Sequence, residues 1–281
     1  MEIGESVSPP QSGQHDATCP FCAGEEPTLL GLTTHKGDEN SSSALATSLG
    51  TPPVYVLEKD LIEEFPVPVV PAAHHLIPGN QAMAKHPIEE YTTTKKNSNL
   101  LQDIGYDING EKNGIWLPTL PDIYKDKTVE VRGKQFVGHD ISKHMWGSDN
   151  KPVKSGIAAV LPEPEKVKVA NLIQERWGQA HIGDHKGTGY DRACLDRLDL
   201  LHTLMSTFWQ MACEKSSSAD GKLNPPYGLV ERINLQSLFM QLGITPHKSP
   251  KTWTQWVSNY AKDFTEFSLK PFRGRVQLPR P

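Results

Sequence analysis

Helical spacing enters this 281-residue chain late. Val167, Ala170, Ile173, Trp177 and His181 are the first apolar or aromatic positions to recur at steps of three and four. Before them come short apolar runs cut by proline and glycine. Val54-Tyr55-Val56-Leu57 and Val67-Pro68-Val69-Val70-Pro71 are two, and the prolines predict an edge strand or an extended connector there. Ile115-Trp116-Leu117 leaves an Asn113-Gly114 turn. Thr128–Arg132 and Gln135–Val137 flank Gly133-Lys134 as a hairpin. Strand-type runs followed by helical ones point to an α+β fold.

The last third predicts three helices. Ala193, Leu198, Leu201, Met205, Phe208 and Ala212 stripe the segment from Tyr190 to Cys213. A second helix runs from Leu229 to Leu242 and ends at Gly243, and Trp253, Trp256, Val257, Tyr260, Phe264 and Phe267 mark a third. These stripes read as core. Residues 1–53, rich in Ser, Pro, Gly and Glu, read as a flexible acidic arm. The expected division is arm 1–53, core 54–215 and a helical basic extension 216–281 packed on the core.

Composition bounds the function. With 37% hydrophobic and 22% charged residues, the chain is neither membrane-spanning nor wholly disordered, and no apolar run approaches 18 residues. The acidic start Met1-Glu2-Ile3-Gly4-Glu5 shows no secretory signal. Four cysteines do not make a disulfide scaffold. The formal charge of −4 hides an asymmetry: residues 1–70 carry −9, residues 71–221 carry −1 and residues 222–281 carry +6. Lys270-Pro271-Phe272-Arg273-Gly274-Arg275 with Arg280 is a candidate phosphate-backbone contact or an ordinary basic tail.

Of the eleven histidines, those in two segments form a pattern. Ala73-His74-His75-Leu76-Ile77-Pro78 ends an extended segment, and neighbours on a strand point to opposite faces, so either the strand ends there and both histidines face one point, or the two do different jobs. His181-Ile182-Gly183-Asp184-His185 puts two imidazoles four apart, which one helical face or a turn would bring to one ion. Three imidazoles suit zinc or nickel, while magnesium would lean on phosphate oxygens.

Together with Asn113-Gly114-Ile115-Trp116-Leu117-Pro118, and with Tyr190 after the last pair, these motifs resemble the AHH branch of the HNH, or ββα-metal, endonuclease superfamily. Asp107-Ile108-Asn109 also resembles the family. The resemblance covers roughly residues 70–205 and implies a ββα-metal core carrying an inserted β-hairpin. It implies His75 as general base, Asn113 as the brace that orients it, and His74, His181 and His185 as ligands of one divalent ion (Mg, Zn, Ni or Mn). The products implied are a 5′-phosphate and a 3′-hydroxyl. The 67 residues between Asn113 and His181 exceed what a compact motif needs, so His139 with His144 is an alternative third motif.

Cys19-Pro20-Phe21-Cys22 with His15 and His35 is a candidate structural zinc set. Reduced thiols in an arm, or a redox pair, are the other readings. Cys194 and Cys213 read as buried small hydrophobes. The family resembles toxin modules delivered into competing bacteria by type VI or contact-dependent secretion. The expected partners are therefore DNA, an immunity protein and a component of the secretion apparatus, with no membrane. Synthesis in a bacterial cytoplasm and export into a target cell without a signal peptide are the expected itinerary. An RNase with the same site, or a non-catalytic metal-binding adaptor, are the alternatives.

Overall fold

The computed structural model describes residues 40–57, 67–121, 128–131, 134–137, 163–181, 185, 188–209, 216–245, 253, 255–258, 261–262 and 265. Two compact units interleave along the chain. One comprises Met1–Leu49 (described from residue 40), His75–Ile115 and Asp191–Met240; the other comprises Gly50–His74, Trp116–Tyr190 and Gln241–Pro281.

The first unit opens with helix α1, Ser42–Leu49. The arm expected over 1–53 is therefore folded at its end. Ser41 caps the helix, its Oγ accepting from the Ala44 N–H at 3.3 Å, and Gly50 follows at φ +71, the left-handed conformation that stops helices. A helix this short shows no periodicity; it is held by Leu45, which is fully buried. Gly114 lies beneath it. Its φ of −128 is extended, so this glycine serves close approach rather than a turn: a Cβ there would sit 2.5 Å from Leu45 Cδ1.

The helical stripe of this unit is α3, Tyr190–Leu204, continued by a π-helical turn, Met205–Trp209. Cys194, Leu198, Leu201, Met205 and Trp209 are buried, whereas Ala193 is only half-buried. Cys194 behaves as the small hydrophobe expected: burial pushes its thiol pKa up, and its Sγ–H meets the Leu76 carbonyl at 3.5 Å. Cys213 lies outside the described residues.

In the second unit, strands β1 (Tyr55–Leu57), β2 (Val67–His75) and β3 (Gly114–Pro121) form a small antiparallel sheet in that order; the first residues of β3 and the last of β2 belong to the other unit. The prolines of β2 suggested an edge, yet β2 lies between two neighbours. Among the described residues β1 pairs with Val67–Val69, so Pro68 lies opposite Val56 while Pro71 lies past the end of that pairing. Tyr55 then joins sheet to helix α2, Glu163–Trp177, by stacking on Trp177 with centroids 5.0 Å apart. Strands β4 (Thr128–Val131) and β5 (Lys134–Val137) pair antiparallel with Val131 opposite Lys134, so the turn expected at Gly133-Lys134 is displaced by one residue and Lys134 belongs to the strand.

Helix α4, Gly228–Ile244, runs past Gly243, contrary to the expected stop. A Cβ at Gly243 would collide with the Gln255 side chain, so this glycine serves contact rather than capping. The third expected helix fails in its first half. Among the described residues, Trp253 and residues 255–258 are non-helical, Trp256 bridging to Gly189, and 261, 262 and 265 are helical. The aromatic spacing there reflects burial alone: Trp253 and Val257 are buried in a segment tied down by polar side chains.

Candidate active site

The chain partition falls between His74 and His75, which end β2. Successive strand residues point to opposite faces, and the partners of the two imidazoles differ accordingly.

His74, 2% exposed, belongs to the second unit. Its ring centroid lies 4.7 Å from that of His181 and 5.1 Å from that of His185. One ligand nitrogen from each of the three can be chosen so that all lie within 4.8 Å of one another. Two nitrogens on one zinc ion, each about 2.0–2.1 Å from it, stand about 3.3 Å apart in tetrahedral geometry, so the donor set fits a borderline cation after modest closure. Tyr190 is fully buried and its hydroxyl lies 3.1 Å from His74 Nε2, the kind of contact that fixes the ring of a metal ligand.

His181 and His185 are not on a helix. α2 ends at Trp177 and α3 starts at Tyr190, and both histidines lie between them; residues 182–184, which join the pair, lie outside the described residues. The flanking residues are anchored by their neighbours. The His181 N–H donates to the Pro118 carbonyl at 2.9 Å. Just before it, Ala180 donates to Gln174 Oε1 at 3.2 Å and accepts at its carbonyl from Ser258 Oγ at 2.6 Å. Gln179, fully buried, accepts from the Val257 N–H at 2.8 Å and donates to the Gln255 carbonyl at 2.7 Å. At the far end the His185 carbonyl accepts from the N–H and the hydroxyl of Thr188, and Gly189 bridges to Trp256. Residues 255–258 thus support the histidine loop at both ends.

His75 belongs to the first unit and is 9% exposed. Its Nε2 lies 3.0 Å from Asn109 Oδ1. Asn113 holds the surrounding backbone: its Oδ1 accepts from the Ile77 N–H at 2.9 Å and Ser237 Oγ at 2.9 Å, and its Nδ2 donates to the carbonyls of Ile77 at 3.0 Å and Ile108 at 2.9 Å. Two lone pairs and two N–H groups are then all used. Asn113 braces the chain two residues after His75 and one before Asn109, and the side chain that touches the imidazole is Asn109.

Residues 58–144 match the AHH family model. It describes a nuclease family of the HNH/ENDO VII superfamily with a conserved Ala-His-His, found here at Ala73-His74-His75. That likeness covers under a third of the chain and suggests a nuclease, whose substrate would be nucleic acid. The AHH match contains Asn109 and Asn113 and ends at His144, so His181 and His185 lie beyond it. No curated protein and no solved structure matches the chain. Among the described residues no helix is long and apolar enough to cross a membrane.

Of the residues singled out from sequence, His74, His181 and His185 come together, and His75 and Asn113 share one loop system. His15, Cys19, Cys22 and His35, as well as His139 and His144, lie outside the described residues, as does the basic segment 270–275. The role of Asn109 was missed. Its trace in the sequence is Asp107-Ile108-Asn109, where Asp107 Oδ1 accepts the Asn109 N–H at 2.9 Å and turns the chain toward His75.

Proposed function

We propose that the chain is a metal-dependent endonuclease that cuts phosphodiester bonds of DNA, with His75 as general base and His74, His181 and His185 as ligands of one divalent ion. The observation that carries this reading is the convergence of the His74, His181 and His185 imidazoles, each able to offer a nitrogen within 4.8 Å of the others. His75 takes a proton from the attacking water, a role suited to an imidazole near neutral pH. The Asn113 brace keeps the His75 loop from shifting as the charge changes. When bound, the ion stabilises the charge developing on the phosphate and on the leaving oxygen.

The resemblance also supports a wider role. The chain acts as an antibacterial toxin delivered by type VI or contact-dependent secretion and neutralised by an immunity protein in its producer. The −9 balance of residues 1–70 supports a docking role for the N-terminal arm rather than DNA binding.

The test is incubation of plasmid DNA and of RNA with the protein and Mg²⁺, Zn²⁺, Ni²⁺ or Mn²⁺, beside His75→Ala. DNA cleavage that needs the metal and is lost in the variant supports the reading. Cleavage of RNA alone makes the chain an RNase. Cleavage of neither, with metal retained, makes it an adaptor.

A second ligand set has an observation in its favour: the family match ends at His144, so His139 and His144 fall within it. Zinc titration of His181→Ala/His185→Ala beside His139→Ala/His144→Ala separates the two. The first double variant loses affinity in our assignment, and the second does so in the other.

A further inference from the structure

We propose that Asn109 is a positioning residue that locks His75 in one tautomer, with the hydrogen on Nε2 and the proton-accepting lone pair on Nδ1. The oxygen and nitrogen ends of the Asn109 amide are chemically distinct but similar in shape. A backbone N–H can only donate, and the Ser41 N–H points at the Asn109 Oδ1 position at 3.0 Å. That atom is therefore the oxygen. An amide oxygen can only accept, so its second partner, His75 Nε2 at 3.0 Å, is a donor and carries the hydrogen. A neutral imidazole has one N–H, which leaves Nδ1 as the base.

The surroundings hold this arrangement. Asp107 Oδ1 fixes the Asn109 backbone N–H, and Asn113 ties down the carbonyl of Ile108 next to it. Ser41 is the residue that caps α1, so the seating of that short helix is linked to the orientation of the imidazole. The pair is separated by 34 positions in the chain and the Ser41 contact by 68, so neither is visible as a local motif.

The kinetic part of this inference rests on His75 being the base; the tautomer itself does not. Full-length protein with ¹⁵N-labelled histidine, zinc-loaded and assigned with His75→Ala, reports which ring nitrogen carries hydrogen. The expected result is an Nε2–H ring at His75 in the wild type and a mixture of tautomers in Asn109→Leu. Asn109→Asp, which keeps an acceptor oxygen, restores the single tautomer. On a short DNA duplex, Asn109→Leu lowers kcat on the order of tenfold to a hundredfold with KM changed less than about twofold, and Asn109→Asp recovers most of the loss. An Nδ1–H ring at His75 in the wild type overturns the proposal, and so does an unchanged tautomer in Asn109→Leu. An Nε2–H wild-type ring with full cleavage by His75→Ala would leave the tautomer standing and remove the base assignment instead.

Discussion

His74 and His75 are joined by one peptide bond, yet the surroundings of the two rings are built by different means. His75 is held through side-chain amides: Asn109 touches the ring, and Asn113 spends all four of its hydrogen bonds on the backbone nearby. In the His74 cluster the rings pack against one another and Tyr190, and the side-chain amides on that side, Gln174 and Gln179, fasten the backbone flanking His181, with Pro118 and the segment around Trp256. A base must be oriented before the water arrives, because proton transfer tolerates little misalignment. Ligands need only be brought near enough for the ion to complete the geometry, and ion binding can supply part of the ordering energy.

That contrast predicts different failures on the two sides. The largest effect belongs to Asn113→Ala. It leaves the buried Ile77 N–H and the carbonyls of Ile77 and Ile108 without this partner, and should cost about 3–5 kcal/mol of stability, read by denaturant unfolding. A cost below about 1 kcal/mol would break the claim that the His75 loop is built on this amide. Next comes Gly114→Ala, which drives a methyl against Leu45 and Leu49 of α1 and should cost about 1–3 kcal/mol in the same assay. A neutral outcome would mean that α1 can shift freely away from the strand. The smallest effect is expected at Gln179→Ala, where loosening residues 255–258 should weaken zinc binding about tenfold, seen by calorimetry. Unchanged affinity would show that the loop needs no such support.

How much was legible follows the same division. The ends of β2, the Asn-Gly before β3 and the stripe of α3 could be read because strand and helix periods are local. The convergence of His181 and His185 was legible from their spacing of four, although neither of the two lies in a helix. Helix α1 was invisible: eight residues with one buried leucine carry no period, and its support is tertiary. Both Gly114 and Gly243 read as turn or stop signals, whereas each makes room for a neighbour that lies far off in sequence or beyond the helix end. The aromatic run from Trp253 mimicked a helix because burial alone can generate that spacing; its backbone is instead fixed by Gln179 and Ser258.

The central claim is that His75 is the base and the other three histidines hold the ion, and one paired measurement tests it. Plasmid cleavage rate and bound metal are measured in the same samples of wild type, His75→Ala and His181→Ala. His75→Ala should keep its metal and lose activity by a factor on the order of 10²–10⁴, whereas His181→Ala should lose metal and activity together. Wild-type cleavage by His75→Ala, or full metal content in His181→Ala, would contradict it.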